Sequence, residues 1–287
     1  MSLNTLIPTV YAKNYEKNLE NELVLDLLSA TKYAANLQLG DEMNVELPGE
    51  ATLTKWSGGD LPDPEKAVVS VAKIKVDRGM SANFELEKAK VIQINKSNTE
   101  EATKLSAEYS NSANYQFADT IDSEIGKLCT TAGLILNSGN VINVTVDNIL
   151  RVLSNAKAMF SRGKAWKTGK MGAFLPPEMT AILNQVPNLT NSEVGHAERR
   201  KGWVRELAGW QIYESNNIFV DEDGYMYPLF GVIRETTASI KQKDMSLISY
   251  MRDESLNPAF KGAGVFGVGN ARPDKLGTAK VQVSLTF

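Results

Sequence analysis

Histidine and cysteine are almost absent from this chain of 287 residues, which has one of each. The single cysteine, Cys129, excludes an internal disulfide and fits a reducing compartment. One histidine and one cysteine cannot assemble a zinc or iron site of the usual kind. Any histidine-based catalytic triad would have to pass through His196, which lies in a charged segment with no nucleophile motif near it. No catalytic residue, metal or cofactor is therefore predicted.

Long apolar runs and an excess of one charge are also missing. No uninterrupted apolar segment approaches the roughly eighteen residues that a transmembrane helix needs, and the N-terminus has no basic region followed by an apolar run. The 31 basic and 34 acidic residues give a net charge of −3, so no general attraction to nucleic acid or to an anionic membrane is expected. The sequence predicts a soluble protein that is not exported by a standard signal.

Proline is absent from residues 97–137, and this segment predicts one long helix that organises the chain. Ser97 or Asn98 can cap its first amides, and acidic residues three positions later can close a capping box. Asn137-Ser138-Gly139 is a stop signal. Apolar or small residues recur at spacings of four and three along the segment, at Leu105, Tyr109, Ala113, Phe117, Ile121, Ile125, Leu128, Ala132 and Leu136.

The apolar stripe of this helix does not keep to one side. Each spacing of four overruns the 3.6-residue turn by about 40°, so successive apolar side chains wind around the helix. Different elements must then cover different parts of it, and we expect a sheet on one part and the base of a hairpin on another. Cys129 lies on the stripe, where buried packing is expected rather than reactivity.

Residues 39–87 have the alternating pattern of strands. Met43, Val45 and Leu47 alternate in a first strand, residues 68–76 form a second, and a segment rich in glycine and proline joins them. A two-stranded hairpin of this length is marginal alone in water. The hairpin therefore needs a surface to lie on.

The tip of this hairpin carries two large apolar side chains, Trp56 and Leu61. We interpret the hairpin as lying on a neighbouring subunit, and the alternative is that it folds back into its own sheet. The segment before it, residues 11–29, predicts an amphipathic helix. That helix is either an ordinary surface helix or an arm that packs on another copy.

After the long helix, helices and strands alternate and predict a small mixed unit. Asp147 is the expected cap of a helix over residues 148–161, and Pro176-Pro177 precedes another helix at 179–185. The remaining predicted elements are strands at 171–175 and 210–213, a turn at 221–224, and a final strand at 280–285.

Two motifs suggest ligand sites but lack the required context. Asp221-Glu222-Asp223-Gly224 is not followed by the closing glutamate of a calcium loop, so a hairpin turn is favoured. Residues 262–267 match Gly-x-Gly-x-x-Gly, but no strand precedes them and no helix follows to bind a pyrophosphate. These glycines are expected to allow bends and close strand packing. A nucleotide-binding enzyme remains as an alternative of a different class.

Several short motifs, taken in their order along the chain, resemble the major capsid proteins of tailed bacteriophages, which have the Hong Kong 97 fold. The most specific segment is 207–217, which is similar to the family's glycine-aromatic-x-Ile-Tyr-x-Ser-Asn-Asn segment. The other similar motifs are the Ile7-Pro8-Thr9 start, Gly40-Asp41 leading into Val45-x-Leu47-Pro48, the long helix, and residues 145–150, 172–179 and 265–273.

This resemblance implies an α+β fold with an N-terminal arm at 1–36, an extended hairpin loop at 37–90 and a peripheral domain with the long spine helix at 91–138. It further implies an axial domain at 139–232 and return strands of both domains at 233–287. The expected contacts between subunits lie on the hairpin and on a later basic loop. The hypothesised contact residues are Lys55, Trp56, Leu61, Arg199, Arg200 and Lys201.

The resemblance also implies a function, that of a capsid subunit forming pentamers and hexamers of an icosahedral head around double-stranded DNA. Implied partners are further copies of the chain, a separate scaffolding protein, a portal protein and a decoration protein. Packaged DNA is implied as well, without sequence-specific binding and forced in by a motor rather than bound by the shell. No membrane partner is implied. The implied location is the virion, after assembly in the bacterial host cytoplasm. An encapsulin-type compartment shell is the alternative with the same fold.

Overall fold

The computed structural model of the protein describes residues 20, 22–30, 39–49, 51, 53, 55, 58, 66, 69–85, 99–186, 206–241, 247–251 and 257–283. No helix within these ranges is both long and apolar enough to cross a membrane. The helices are α1 (Thr99–Gly126), α2 (Ile149–Arg162) and α3 (Pro177–Asn184). The strands are β1 (Glu42–Pro48), β2 (Val69–Lys75), β3 (Arg78–Glu85), β4 (Leu134–Ile135), β5 (Ile142–Val144), β6 (Met171–Leu175), β7 (Glu206–Leu207), β8 (Trp210–Glu214), β9 (Leu229–Val232), β10 (Ala238–Lys241), β11 (Ile248–Met251), β12 (Pro258–Gly269), β13 (Leu276–Thr278) and β14 (Val281–Val283).

The described strands form one large sheet, one sheet of four strands and two separate pairs. The large sheet has six strands in the order β4-β13-β9-β6-β8-β7. In the four-stranded sheet, β10, β11 and β3 all pair antiparallel with the long strand β12. The two pairs are antiparallel β1-β2 and parallel β14-β5. Because β3 joins the sheet of β12, the chain leaves the hairpin directly into that sheet. The five-segment division of the chain stays a prediction.

The large sheet and α2 enclose the most extensive core. Its central strand β6 is buried at every position, and β8 lies parallel to it. Trp210 is fully buried; its indole N–H donates to the carbonyl of Leu153 at 3.1 Å, and its ring meets that of Phe160 edge-on with centroids 5.5 Å apart. The predicted mixed unit of helices and strands is confirmed here, with α2, β6, α3 and β8 within a few residues of their expected positions.

The long helix ends earlier than the sequence predicts, at Gly126 rather than near residue 137. A Cβ at Gly126 would lie 2.2 Å from the carbonyl oxygen of Asn217, so the helix meets a neighbouring backbone at this point. Beyond it the chain forms a 3-10 turn (Lys127–Thr131). The N–H of Gly133 then donates to the carbonyl of Pro273 at 2.9 Å, and β4 joins the large sheet. Contacts distant in sequence replace the helical hydrogen bonds.

Two elements cover the apolar stripe of α1, of which one was expected. The ring of Phe117 lies against Gly264 of β12 and meets Phe266 edge-on, with centroids 5.7 Å apart, so cover by a sheet is confirmed. Cover of another part by the base of the hairpin stays a prediction, because residues 31–38 and 86–98 and the first side chains of α1 lie outside the described part of the chain. Ile121 and Ile125 pack in one core with buried leucines of the N-terminal segment, Leu25 and Leu28.

The helix predicted over residues 11–29 is not found in the described part of that segment. Residues 22–24 are not helical, and a 3-10 turn (Leu25–Leu28) follows them. The backbone groups here bond to distant parts of the chain: the N–H of Asp26 donates to Asp122, and that of Ala30 to the carbonyl of Thr237. Because tertiary contacts use these groups, an α-helix is not needed to satisfy them. Residues 11–19 lie outside the described residues.

Asn148, rather than the predicted Asp147, precedes the first turn of α2. Its side chain fastens the loop before the helix instead of capping the helix itself. Its Oδ1 accepts the N–H of Thr145 at 2.9 Å, and its Nδ2 donates to the carbonyl of Asn143 at 2.7 Å. An asparagine can do both because its amide donates and accepts, whereas an ionised aspartate only accepts.

Candidate assembly site

β1 and β2 form the predicted hairpin, which is confirmed as an antiparallel pair. Glu42 faces Lys75 at its base, and Pro48 faces Val69 six residues further out. Within the described residues neither strand pairs with the larger sheets. The pair therefore extends from the body as an arm with two faces.

Apolar side chains of this arm are buried near its base and exposed further out. Val45 and Ile74 at the base are each 2% exposed, whereas Val71 is 50% exposed and Leu53 is 95% exposed. Covering a leucine side chain completely contributes about 2 kcal/mol. The subunit itself does not provide that cover for Leu53, so the outer arm is suited to lie on another chain.

The second face of the arm is charged near its base. Glu42 and Lys75 face each other across the strands, with Oε1 and Nζ 2.9 Å apart. The hydrogen bond and charge of Lys75 hold the pKa of Glu42 below its usual value. Since both side chains are exposed, this pair contributes little to stability. It favours the observed strand register over one shifted by a residue.

Glycines of β12 allow the base of the arm to approach the four-stranded sheet closely. A Cβ at Gly267 would lie 2.2 Å from the carbonyl oxygen of Lys75, and one at Gly269 would lie 2.8 Å from the side chain of Ile74. The apolar base, which includes Val45, packs with Ala271 just beyond the strand. Of the glycines that resemble a nucleotide fingerprint, Gly267 thus acts in close strand packing, as predicted.

Replacing Gly267 by alanine is expected to destabilise the protein by about 2 kcal/mol, because the added methyl meets a backbone atom that cannot move without shifting β2. The loss should be greatest in β1 and β2, where backbone amides should exchange faster with solvent. Gly79→Ala is the matched control, since a Cβ there meets its nearest atoms at 3.7 and 3.8 Å. Equal melting temperatures for the two variants would show that the arm is not anchored at Gly267.

An ion-pair group ties the return from the arm to the spine helix. Arg78, the first residue of β3, pairs with Glu124 of α1, and Lys127 pairs with the same carboxylate at 2.8 Å. Burial alone would raise the pKa of Glu124, but hydrogen bonds from Lys127 and Arg78 outweigh it and hold the pKa below its usual value. These ion pairs hold the start of β3, where the chain leaves the arm, against the end of α1.

A buried carboxylate joins α1 to two other segments. Asp122 is 1% exposed, and its oxygens accept the backbone N–H of Asp26 at 3.1 Å and the amide of Asn217 at 3.2 Å. The same Asn217 amide donates to Asp119 at 2.8 Å. Burial raises the pKa of Asp122 to about 6, although these hydrogen bonds oppose the rise. The N-terminal segment and the turn after β8 are held to the helix here.

The Asp-Gly turn at residues 221–224 is confirmed as a turn. The carboxylate of Asp221 accepts the backbone N–H groups of Asp223 and Tyr225 and the hydroxyl of Tyr227. The Nζ of Lys280 lies 3.1 Å from Oδ2 of the same carboxylate.

No group of three metal-binding side chains occurs in the ranges that the structure describes. Cys129 is buried as predicted, and burial raises the pKa of its thiol to about 12.

Of the predicted contact residues, Lys55 is described, and it is exposed on the outer arm. Trp56, Leu61, Arg199, Arg200 and Lys201 lie outside the described residues, as does His196. Their role in contacts between subunits therefore stays a prediction. Asp122 was not predicted as a functional residue; its signal in the sequence was a carboxylate beside the apolar stripe, between Ile121 and Ile125.

No protein-family model matches this chain, and no curated protein matches its sequence. Solved structures match almost all of it. A chain of Mycobacterium phage Che8 has a TM-score of 0.75 at 17% identity, covering 97% of this chain and 98% of the phage chain. A chain of the mature capsid of bacteriophage PhiM1 has a TM-score of 0.70 at 15% identity, with coverage of 97% and 92%.

The capsid structure of the cyanophage P-SCSP1u contains another such chain, with a TM-score of 0.68 at 16% identity, covering 97% of this chain and 94% of that one. At these identities the likeness shows a shared fold. The protein has the α+β fold of phage capsid chains, so the fold class expected from the sequence motifs is confirmed.

Proposed function

We propose that this protein is the major capsid protein of a tailed bacteriophage. The observation that carries the proposal is the match of 97% of the chain to chains of phage capsids, with no large part of it left over. On this proposal the chain forms pentamers and hexamers of an icosahedral head that encloses double-stranded DNA, and it catalyses no reaction. Its place is the virion, after assembly in the host cytoplasm.

The arm formed by β1 and β2 supports this proposal physically. A single subunit leaves the outer arm exposed, including Leu53 at 95% and Val71 at 50%. In a closed shell every subunit has a neighbour, so each arm can lie on the next copy. Lys55, Trp56 and Leu61 on the arm, and Arg199, Arg200 and Lys201 elsewhere, are the proposed contacts. The further proposed partners are a separate scaffolding protein, a portal protein and a decoration protein.

Two other functions make different predictions. An encapsulin-type shell would close around cargo enzymes, and a gene for such an enzyme next to this one would favour it. A nucleotide-dependent enzyme would need residues 262–267 to bind phosphate, but they lie within strand β12 and Gly264 lies against the ring of Phe117. That packing favours the structural role.

Negative-stain electron microscopy of the full chain, expressed alone and with a candidate scaffolding protein, tests the proposal. Closed shells or capsomers are expected in at least one of the two conditions. Deleting residues 57–64 should leave a folded subunit by circular dichroism that assembles poorly, because the tip of the arm is lost. A wild-type chain that remains monomeric in both conditions would overturn the proposal, and a deletion variant that fails to fold would place the hairpin in the subunit's own core.

A further inference from the structure

Three lysines surround Glu235 at one end of the large sheet. Glu235 follows β9, while Lys167 and Lys170 lie in the loop before β6, and Lys275 ends the 3-10 turn before β13. Lys167 pairs with Oε2 of Glu235. The Nζ of Lys170 is 4.0 Å from Oε1, and that of Lys275 is 3.8 Å from Oε2. Three ammonium groups therefore converge on a single carboxylate.

Positive charge exceeds negative charge in this lysine cluster. Burial lowers the pKa of Lys275, and repulsion from Arg272 and Lys167 lowers it further, which Glu235 and Asp274 only partly oppose. Together with Lys170, four cations thus face two carboxylates among the described residues. The surplus is local, because the whole chain has a net charge of −3.

The loop that carries two of these lysines is held in place while their side chains remain accessible. The carbonyl of Lys170 accepts the N–H of Ile233 at 2.8 Å, and the carbonyl of Gly169 accepts the side-chain amide of Gln211 at 3.2 Å. The side chains of Lys167 and Lys170 are 43% and 64% exposed. The fixed backbone keeps these ammonium groups accessible to an anion from the solvent.

We propose that the lysine cluster contacts the phosphates of double-stranded DNA. Lysine ammonium groups are compact charges that bind phosphate without reading sequence. An acidic protein partner is the competing occupant, but protein interfaces are anchored by aromatic and apolar side chains, and residues 167–170 are Lys, Thr, Gly and Lys. In the protein without DNA, the carboxylate of Glu235 lies where a DNA phosphate would lie among the lysines. The choice of DNA as the polyanion rests on the proposed function.

The test measures binding of the full chain to a short fluorescein-labelled DNA duplex by fluorescence anisotropy, at two salt concentrations. The double variant Lys167→Gln/Lys170→Gln should weaken binding about tenfold at low salt, and the dependence of log K on log salt should become shallower by about one to two. Glu235→Gln should tighten binding a few-fold, since it removes a competing anion. Lys66→Gln/Lys73→Gln is the matched control, because both lysines are exposed on the hairpin and the charge change is the same.

Three results would overturn the inference: no salt-dependent binding by the wild type, an equal loss in the hairpin control, or competition by polyglutamate as strong as that by unlabelled DNA at equal charge. The last result would assign the cluster to an acidic protein partner. Failure here is distinct from failure of the proposed function. If the chain forms shells but does not bind DNA through the cluster, only the DNA-contact inference is contradicted. If it binds DNA through the cluster but never assembles, the proposed capsid function is contradicted.

Discussion

Replacing Ile121 by aspartate is expected to unfold the protein. Ile121 is 2% exposed and packs in an apolar core with Leu25, Leu28 and Phe117. A carboxylate placed there loses its water and gains no hydrogen bonds from these side chains, at a cost of more than about 4 kcal/mol. Whole domains are stable by only about 5–15 kcal/mol. Far-UV circular dichroism and the soluble fraction on expression measure the outcome.

Tyr109→Asp is the matched control for this variant, since it introduces the same carboxylate on the same helix. Tyr109 is 50% exposed, and its ring stacks on that of Phe84 with centroids 5.2 Å apart. The expected loss is about 1 kcal/mol, for the ring contact alone. If Ile121→Asp melted like Tyr109→Asp with a native spectrum, the leucines of the N-terminal segment would not cover Ile121 in solution.

The helix that carries both residues shows what a local pattern can and cannot predict. Its apolar spacing predicted Phe117, Ile121 and Ile125 as buried, and all three are. The same spacing continued to Leu136, yet the α-helix ends at Gly126, where a distant carbonyl, that of Asn217, lies against the glycine. Periodicity records which side chains are buried, and beyond the helix Cys129, Ala132 and Leu136 are buried as well, although the backbone there is no longer α-helical.

The arm could be predicted more fully than its anchor. Alternation of apolar and polar residues defined β1 and β2, because a strand with one covered face needs that pattern. The anchor depends on Gly267 and Gly269, about two hundred residues away in sequence. Because these two residues have no side chain, the arm can approach their backbone closely. A glycine in a strand indicates close approach, but sequence does not identify the approaching partner.

Charged groups were the hardest to place from sequence. Arg78 and Glu124 pair across 46 positions, and Lys167, Glu235 and Lys275 come from three separate segments. Neither group follows a short motif, because a charge pair needs only proximity in space. Asp122 was equally hidden, since its donors come from the N-terminal segment and from the turn after β8.

Asp122 is expected to give the protein a component of stability that increases as the pH falls. Its pKa in the folded state is about 6, against an ordinary value of 3.8. A carboxyl whose pKa is raised by folding stabilises the folded state below its unfolded pKa, and this contribution is lost as the pH rises through the folded pKa. The loss should therefore run between about pH 4 and pH 6.5, and between pH 4.5 and 7.5 it should amount to about 2 kcal/mol.

Urea unfolding of wild type and Asp122→Asn at pH 4.5 and 7.5 isolates this component, because an asparagine does not titrate and can still accept one of the hydrogen bonds. The wild type should lose about 2 kcal/mol relative to the variant on going to the higher pH. Glu124→Gln is the control with little change: the pKa of Glu124 is lowered from 4.5, so its contribution is lost mainly below pH 4.5, and the difference between wild type and this variant should stay nearly constant between pH 4.5 and 7.5. A pH-independent difference between wild type and Asp122→Asn would show that Asp122 keeps an ordinary pKa in solution, and hence that the N-terminal segment does not bury it there.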